Sequence, residues 1–344
     1  MALTEFELIA RYFAAQSLAF KRSCVALGQG DDGALLQVPD SRQLVLSVDT
    51  LNASIHFPEK ADAFLLGQRC LLVNLSDLAA MGAEPVAFTL ALSLPEVDTD
   101  WLEKFSRGLA AVAGQFNCPL IGGDTTRGPL SITIQAHGLV ETGQAILRSG
   151  ARPGDDIYVT GTLGDAAVAL WQLQGDSRLQ SSPLSEADLA CLQRAFYQPD
   201  VRVELGRRLA GIASAGLDIS DGLASDLRHI LKASAGAAPS NGTDGEHRTE
   251  LGAVLNADAI PLSDVFTRLV PAEDQLLLAL TGGDDYELCI CASPQHKRAL
   301  LGLANQLEVS LTLVGQIVQS PGLKIRLKDG QSVELTEHGY QHFS

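Results

Sequence analysis

Six aspartates, Asp32, Asp49, Asp77, Asp124, Asp218 and Asp221, stand in Gly-, Ser- and Asp-rich contexts at the ends of apolar segments or inside one. Carboxylates there are costly to bury unless something positive or hydrogen-bonding meets them, and a hard divalent cation is the natural partner. In Gly28-Gln29-Gly30-Asp31-Asp32-Gly33 the glycines permit close backbone approach and the acids can ligate a cation; a plain turn would use the same residues. Adjacent acids on extended backbone point opposite ways, so one of the two is expected to face a site. Ser47-Val48-Asp49-Thr50 puts an acid at the end of an apolar strand, where either a ligand or a strand-end turn would use it.

The run Asn74-Leu75-Ser76-Asp77-Leu78-Ala79-Ala80-Met81-Gly82 is more pointed. Asn74 and Asp77 are three apart, which places both on one side of a helix otherwise built of core residues. A cation or a basic residue such as Arg69 would balance Asp77. Ile121-Gly122-Gly123-Asp124-Thr125-Thr126-Arg127-Gly128 offers open backbone N–H groups, an acid, hydroxyls and an arginine, which suits a phosphate. A glycine-rich hairpin is the competing reading, and the Gly-Gly-Asp core recurs as Gly282-Gly283-Asp284. In Leu217-Asp218-Ile219-Ser220-Asp221-Gly222-Leu223, Asp218 and Ser220 share a strand face. Capping a helix would explain Asp221 but not Asp218. His56 and Arg148 are isolated: each suits either a phosphate contact or an ordinary surface role.

Magnesium takes one or two carboxylates and completes its shell with water and phosphate oxygens. Six candidates therefore indicate more than one ion, and clustered divalent ions fit phosphoryl transfer, where positioning and charge neutralisation do most of the work. GxxxxGK[ST] is absent, and no Ser-His-Asp or Cys-His arrangement supports a protein nucleophile.

The elements that must hold these residues follow from periodicity and turn signals. Helices are expected over 5–13, 62–81, 99–115, 165–173 and from 221 or 222 to 233. Strands are expected over 34–38, 43–48, 86–94, 119–122, 131–140, 156–160, 217–219, 276–281, 287–292 and 311–317. Residues 175–186 read as a loop, and 234–250, SAGAAPSNGTDGEHRTE, as a mobile insertion with almost no large apolar residue. The turn-rich RSGARPGD, Arg148 to Asp155, marks a boundary, dividing the chain into domains 1–148 and 149–344 of an α/β (α+β) protein.

The whole-chain figures agree. The 344 residues, 46% hydrophobic and 19% charged, allow a large core and argue against general disorder. With 25 Lys and Arg against 41 Asp and Glu, the formal charge of −16 disfavours nucleic acid and anionic membranes as partners. It also means that a polyphosphate ligand needs cations at its site. The first residues carry acids and no apolar signal core, and no CxxC pair exists among Cys24, Cys70, Cys118, Cys191, Cys289 and Cys291, so a cytoplasmic protein with reduced thiols is expected.

Taken in order, GDDGALL, SVDTL with His56-Phe57, NLSDLAAMGAEP, IGGDTTRGPLSIT, RSGARPGD, YVTGTLGD, LDISDGLASDL, GGDDYELC and the terminal GYQHF resemble the thiamine-monophosphate kinases over nearly the whole chain. The resemblance implies the two-domain aminoimidazole-ribonucleotide synthetase-like fold, with N-terminal mixed sheets pairing across a homodimer and a C-terminal α/β domain. It implies direct transfer of the γ-phosphoryl group of ATP to thiamine monophosphate. It assigns several magnesium ions to Asp32, Ser47, Val48 (through its carbonyl), Asp49, Asp77, Asp124, Asp218 and Asp221. ATP falls to Gly123, Asp124, Arg148 and Ser220, and thiamine monophosphate to His56 and Asp284. Two positions depart from the family pattern. Asp284 stands where Glu is frequent, and Glu337 where an aromatic residue often meets the thiamine, so Glu337 or a neighbouring ring such as Tyr340 is the candidate there. The competing functions are another ATP-dependent member of the superfamily, such as the purine-ring-forming synthetase, and a non-catalytic nucleotide or metal sensor.

Overall fold

The structure, a computed structural model, describes residues 4–179, 184–235, 250–336 and 339. Most of the insertion read over 234–250, together with Glu337 and Tyr340, lies outside the described residues. The chain divides into two units: Met1–Ala79, Ala83–Gly143 and Tyr197–Val203 form the first, and Ala80–Gly82, Gln144–Phe196 and Glu204–Ser344 the second.

The first unit opens with α1 (Glu5–Leu8), which continues as a π-helical turn over Ile9–Phe13. A small ladder pairs β1 (Val25–Leu27) with β2 (Leu35–Leu36) around the Gly-Asp-Asp-Gly segment. The main sheet contains β3 (Arg42–Asn52), β4 (Glu84–Leu94), β5 (Leu120–Arg127) and β6 (Ser131–Glu141), ordered β3-β6-β4-β5. Only β4 and β5 run parallel, and α3 (Thr99–Gln115) connects them as parallel pairing requires. Asp98 caps α3 by accepting from the N–H groups of Asp100 and Trp101. The other helix, α2 (Ala63–Ala80), is apolar nearly all round and is accordingly buried along most of its length.

Two glycines let these helices touch backbone to backbone. A Cβ at Gly67 would collide with the Phe105 carbonyl, and one at Gly108 with the Phe64 carbonyl. Strand alternation then sorts β3 into two faces. Val45, Ser47, Asp49 and Leu51 pair in register with Gly138, Ala136, Ile134 and Ile132; Leu44, Leu46, Val48 and Thr50 belong to the opposite face. On that second face Leu46 and Val48 are 53% and 57% exposed, unusual for apolar residues in a central length of strand.

The second unit carries a seven-stranded sheet ordered β13-β12-β9-β11-β7-β10-β8. Its strands are β7 (Asp156–Thr160), β8 (Ala215–Asp218), β9 (Gly252–Asn256), β10 (Leu288–Ala292), β11 (Leu311–Val318), β12 (Gly322–Arg326) and β13 (Ser332–Glu334). All neighbouring strands are antiparallel except β12 and β9. Its helices are α4 (Asp165–Gln174), α5 (Glu186–Tyr197), α6 (Val203–Gly206), α7 (Leu223–Ala235), α8 (Asp264–Leu269), α9 (Ala272–Thr281) and α10 (Lys297–Gln306).

One expected strand is a helix. Leu276–Thr281 forms the end of α9 rather than a strand. A short apolar run such as LLLAL has no period that separates the two states. Pro271 followed by Glu273 and Asp274 in the first turn is the helix-start signal that decides it. The loop reading of 175–186 stops where α5 begins, and Ser185 and Asp188 form a reciprocal cap there: Ser185 N donates to Asp188 Oδ2 (2.9 Å) and Asp188 N to Ser185 Oγ (3.2 Å).

Candidate active site

In the first unit the acids fall into two groups. On the helix-facing side of β3, the Ser47 hydroxyl donates to Asp77 Oδ2, and Asp49 N donates to Asn74 Oδ1 at 3.1 Å. Asn74 is fully buried and fixed by donating from Nδ2 to the Cys70 carbonyl (2.9 Å). The spacing of Asn74 and Asp77 thus does what the sequence indicates: one helix face presents both polar groups to one strand. Asp77 lies in the last turn of α2, and that turn contains no basic residue. Burial, reinforced by the nearby Asp77 charge, pushes the Asp49 carboxyl up to about 6. Two carboxylates forced together at a half-buried position fit a divalent cation, whose charge would reverse both effects.

The second group borders a cavity of about 610 Å³. Gly30, Asp31, Asp32 and Gly33 line one side and Gly122, Gly123, Asp124 and Thr125 another, with Phe6, Ile9 and Phe13 as an apolar wall. Asp31 Oδ1 accepts from Asp32 N at 2.9 Å, so the first acid of the pair holds the turn. Gly123 has φ of 155°, and a Cβ there would strike the Leu90 carbonyl across the parallel β4–β5 ladder, so glycine is required. Asp124 pairs with Ala91, in the register row of Thr133 and Thr50; Asp49 belongs to the next row, with Ile134. Asp124 and Asp49 therefore point to opposite faces of the sheet. Val48 lies on β3 with its side chain exposed. His56 sits just beyond β3, its Nδ1 accepting from Asn52 N at 3.0 Å, which leaves Nε2 as the protonated nitrogen of the neutral ring.

In the second unit Asp218 ends β8 and is 5% exposed. Ser220 and Asp221 follow in the bend that opens α7. Asp226, in the first turn of α7, accepts from Ser220 N (3.1 Å) and Asp221 N (3.0 Å) and thereby fixes both. Burial raises its carboxyl to about 7 against those stabilising hydrogen bonds, with Arg148 also pulling it down. Arg148 is fixed through its backbone: its carbonyl accepts from Ser234 Oγ at 3.3 Å, while that oxygen accepts from Gly150 N and Ala151 N. Asp284 has φ of 70° and accepts from the Tyr286 hydroxyl at 3.0 Å. Sequence reasoning does not single out Asp226; its signal is an acid in the first turn of the helix that follows Ser220-Asp221-Gly222. Among the described residues, no three or more His, Cys, Asp or Glu side chains come together as one metal-binding group.

This architecture has known relatives. Residues 30–140 match the family described as AIR synthase related protein, N-terminal domain, which sets the class of fold. Across the full chain the likeness is narrower. The thiamine-monophosphate kinase of Salmonella typhimurium (strain LT2) is 46% identical over 345 residues, covering 100% of this chain and 99% of the relative. The crystal structure of the thiamine-monophosphate kinase from Stenotrophomonas maltophilia K279a is 44% identical, with a TM-score of 0.82, over 97% of this chain and 99% of that one. A structure described as AaThiL complexed with AMPPCP and TMP is 26% identical with a TM-score of 0.73 over 91% of both chains. The chain belongs to the thiamine-monophosphate kinase family. No helix among the described residues is long and apolar enough to cross a membrane.

Proposed function

We propose that this protein transfers the γ-phosphoryl group of ATP to the phosphate of thiamine monophosphate, yielding thiamine diphosphate and ADP. One observation carries the chemistry: Ser47 and Asp49 on one face of β3 meet Asp77 and Asn74 of α2, and burial together with the Asp77 charge raises the Asp49 carboxyl to about 6, an arrangement that calls for a cation. Full-length likeness to thiamine-monophosphate kinases identifies the acceptor. Asp32, Ser47, the Val48 carbonyl, Asp49, Asp77, Asp124, Asp218 and Asp221 hold magnesium, which neutralises the polyphosphate and the charge that develops during transfer.

Gly123 and Asp124, with Arg148 and Ser220, bind ATP; the open Gly122-Gly123 backbone supports that role. His56 and Asp284 bind thiamine monophosphate, with Glu337 at the thiamine end. The acceptor phosphate is already ionised, so no protein nucleophile or strong base is needed. The chain's own task is to orient acceptor oxygen, phosphorus and leaving oxygen in line and to exclude water.

The protein works as a homodimer. Exposed Leu44, Leu46 and Val48 on the edge strand β3 support pairing of N-terminal sheets. The functional division into domains 1–148 and 149–344 and a cytoplasmic location complete the reading; the absence of disulfides among the described cysteines is compatible with that location.

The test is incubation with ATP, magnesium and thiamine monophosphate, following thiamine diphosphate by chromatography. Product formation that stops when magnesium is chelated is expected. Nucleotide binding without product would favour a sensor instead.

A further inference from the structure

The segment between α9 and β10 carries three acids in Asp284-Asp285-Tyr286-Glu287, and only Asp284 has a role so far. Asp285 is turned the other way. Its Oδ1 accepts from Gly164 N at 2.9 Å, while Oδ2 is buried without a hydrogen-bond partner among the described residues.

The segment needs such an anchor. Asp284 and Tyr286 both occupy left-handed backbone, at φ of 70° and 52°, a conformation that non-glycine residues keep only when their surroundings enforce it. On one side the enforcement is visible: Asp284 N donates to the Ser220 carbonyl and Tyr286 N to the Ile219 carbonyl, both at 2.8 Å. On the other side the Asp285 carboxyl is the fastening. The turn it grips is itself fixed. Gly164 has φ of 88° and packs so tightly that a Cβ would meet the Phe266 ring, and the next residue, Asp165, accepts from Thr162 Oγ1 (2.9 Å) and Ser263 Oγ (2.6 Å).

We propose that Asp285 is a positioning residue for the acceptor substrate, its carboxyl tying the Gly282–Glu287 segment to the turn before α4 so that Asp284 is held in its strained left-handed conformation. This rests on the proposed role of Asp284. Asp285 needs no charge to do this. Burial, with Asp165, Glu287 and Asp284 close by, holds its carboxyl well above the ordinary range. Asparagine offers the same acceptor oxygen and should replace it.

The experiment compares the full-length parent with Asp285→Ala and Asp285→Asn in steady-state kinetics and in hydrogen–deuterium exchange of the 282–287 segment. Asp285→Ala is expected to raise KM for thiamine monophosphate by about tenfold with KM for ATP within about threefold. Exchange in the segment should accelerate about tenfold. Asp285→Asn should return all three to within about threefold of the parent. An unchanged acceptor KM in a folded Asp285→Ala protein, or an Asn variant as damaged as the Ala variant, overturns the proposal. If Asp285→Ala does not fold, Asp285→Asn decides: parent-like behaviour supports the assignment and impairment rejects it. Absence of turnover in the parent would defeat the acceptor assignment alone, since exchange in the two variants still reports whether Asp285 holds the segment.

Discussion

The tripeptide Gly-Gly-Asp occurs twice, and the two copies are built differently. Gly122-Gly123-Asp124 lies inside β5, where the ladder to β4 fixes every residue and the second glycine exists because the Leu90 carbonyl leaves no room for a Cβ. Gly282-Gly283-Asp284 leaves the end of α9, and its aspartate is held in left-handed backbone by contacts from Ile219, Ser220 and the neighbouring turn. Regular pairing makes the first copy rigid at no conformational penalty to its acid. The second holds an acid in a conformation that costs about 1–3 kcal/mol, which the surrounding hydrogen bonds must offset. The same three letters therefore sit in a regular ladder in one place and in a strained loop in the other.

The sharpest way to break this contrast is to neutralise an acid on each side. Asp124→Asn keeps the side-chain shape but removes charge from the rigid copy. Turnover should fall roughly 10³-fold, the scale of groups that stabilise developing charge, with the melting temperature kept. Asp284→Asn tolerates the left-handed backbone and should mainly raise KM for thiamine monophosphate, about tenfold. Steady-state kinetics check both; a larger turnover defect in Asp284→Asn would reverse the assignment of roles.

Glycine replacement comes next in size. Gly123→Ala meets both a positive φ and a backbone carbonyl and should lower stability by about 3 kcal/mol. Gly283→Ala also meets a backbone carbonyl, that of Ser220, but without a positive φ, and should cost about 1–2 kcal/mol. Urea unfolding of the two variants ranks them, and equal losses would show the loop to be as unyielding as the sheet.

The smallest effect is a pH slope. The Asp226 carboxyl rises from the ordinary 3.8 to about 7 in the folded protein. The folded state then binds the proton more tightly than the unfolded one, so this contribution is complete below about 3.8 and is lost as pH rises through about 7. Asp226→Asn keeps an acceptor for Ser220 N and Asp221 N but cannot ionise. Its melting temperature, measured without divalent ions, should decline less than the parent's from pH 4 to 8 in steps. Parallel declines would show that Asp226 ionises normally.

Much of the first unit was legible because polar residues inside an apolar helical run have few bland uses: Asn74 and Asp77 announced a shared face, and the structure gives them Asp49 and Ser47 as partners. The limits of α3 and β7 followed from capping and turn residues. What stayed hidden was tertiary. Sequence could group Asp49 with Asp124 by chemistry, but only strand register sends them to opposite faces. The end of α9 was misread because five consecutive apolar residues carry no period. Asp226 and Asp285 act through other residues' backbones, at a sequence distance or on a loop whose shape no local pattern specifies.

The position of Asp77 in the last turn of α2 has a thermodynamic consequence. Peptide dipoles gather partial negative charge at that helix end, so the carboxylate and the helix repel each other, a repulsion that a bound cation would relieve. A cation bound there by the folded chain alone adds RT ln(1 + [L]/Kd) to its stability. Thermal midpoints recorded against ion concentration would then act as a binding isotherm, reporting occupancy of this corner with neither nucleotide nor acceptor present.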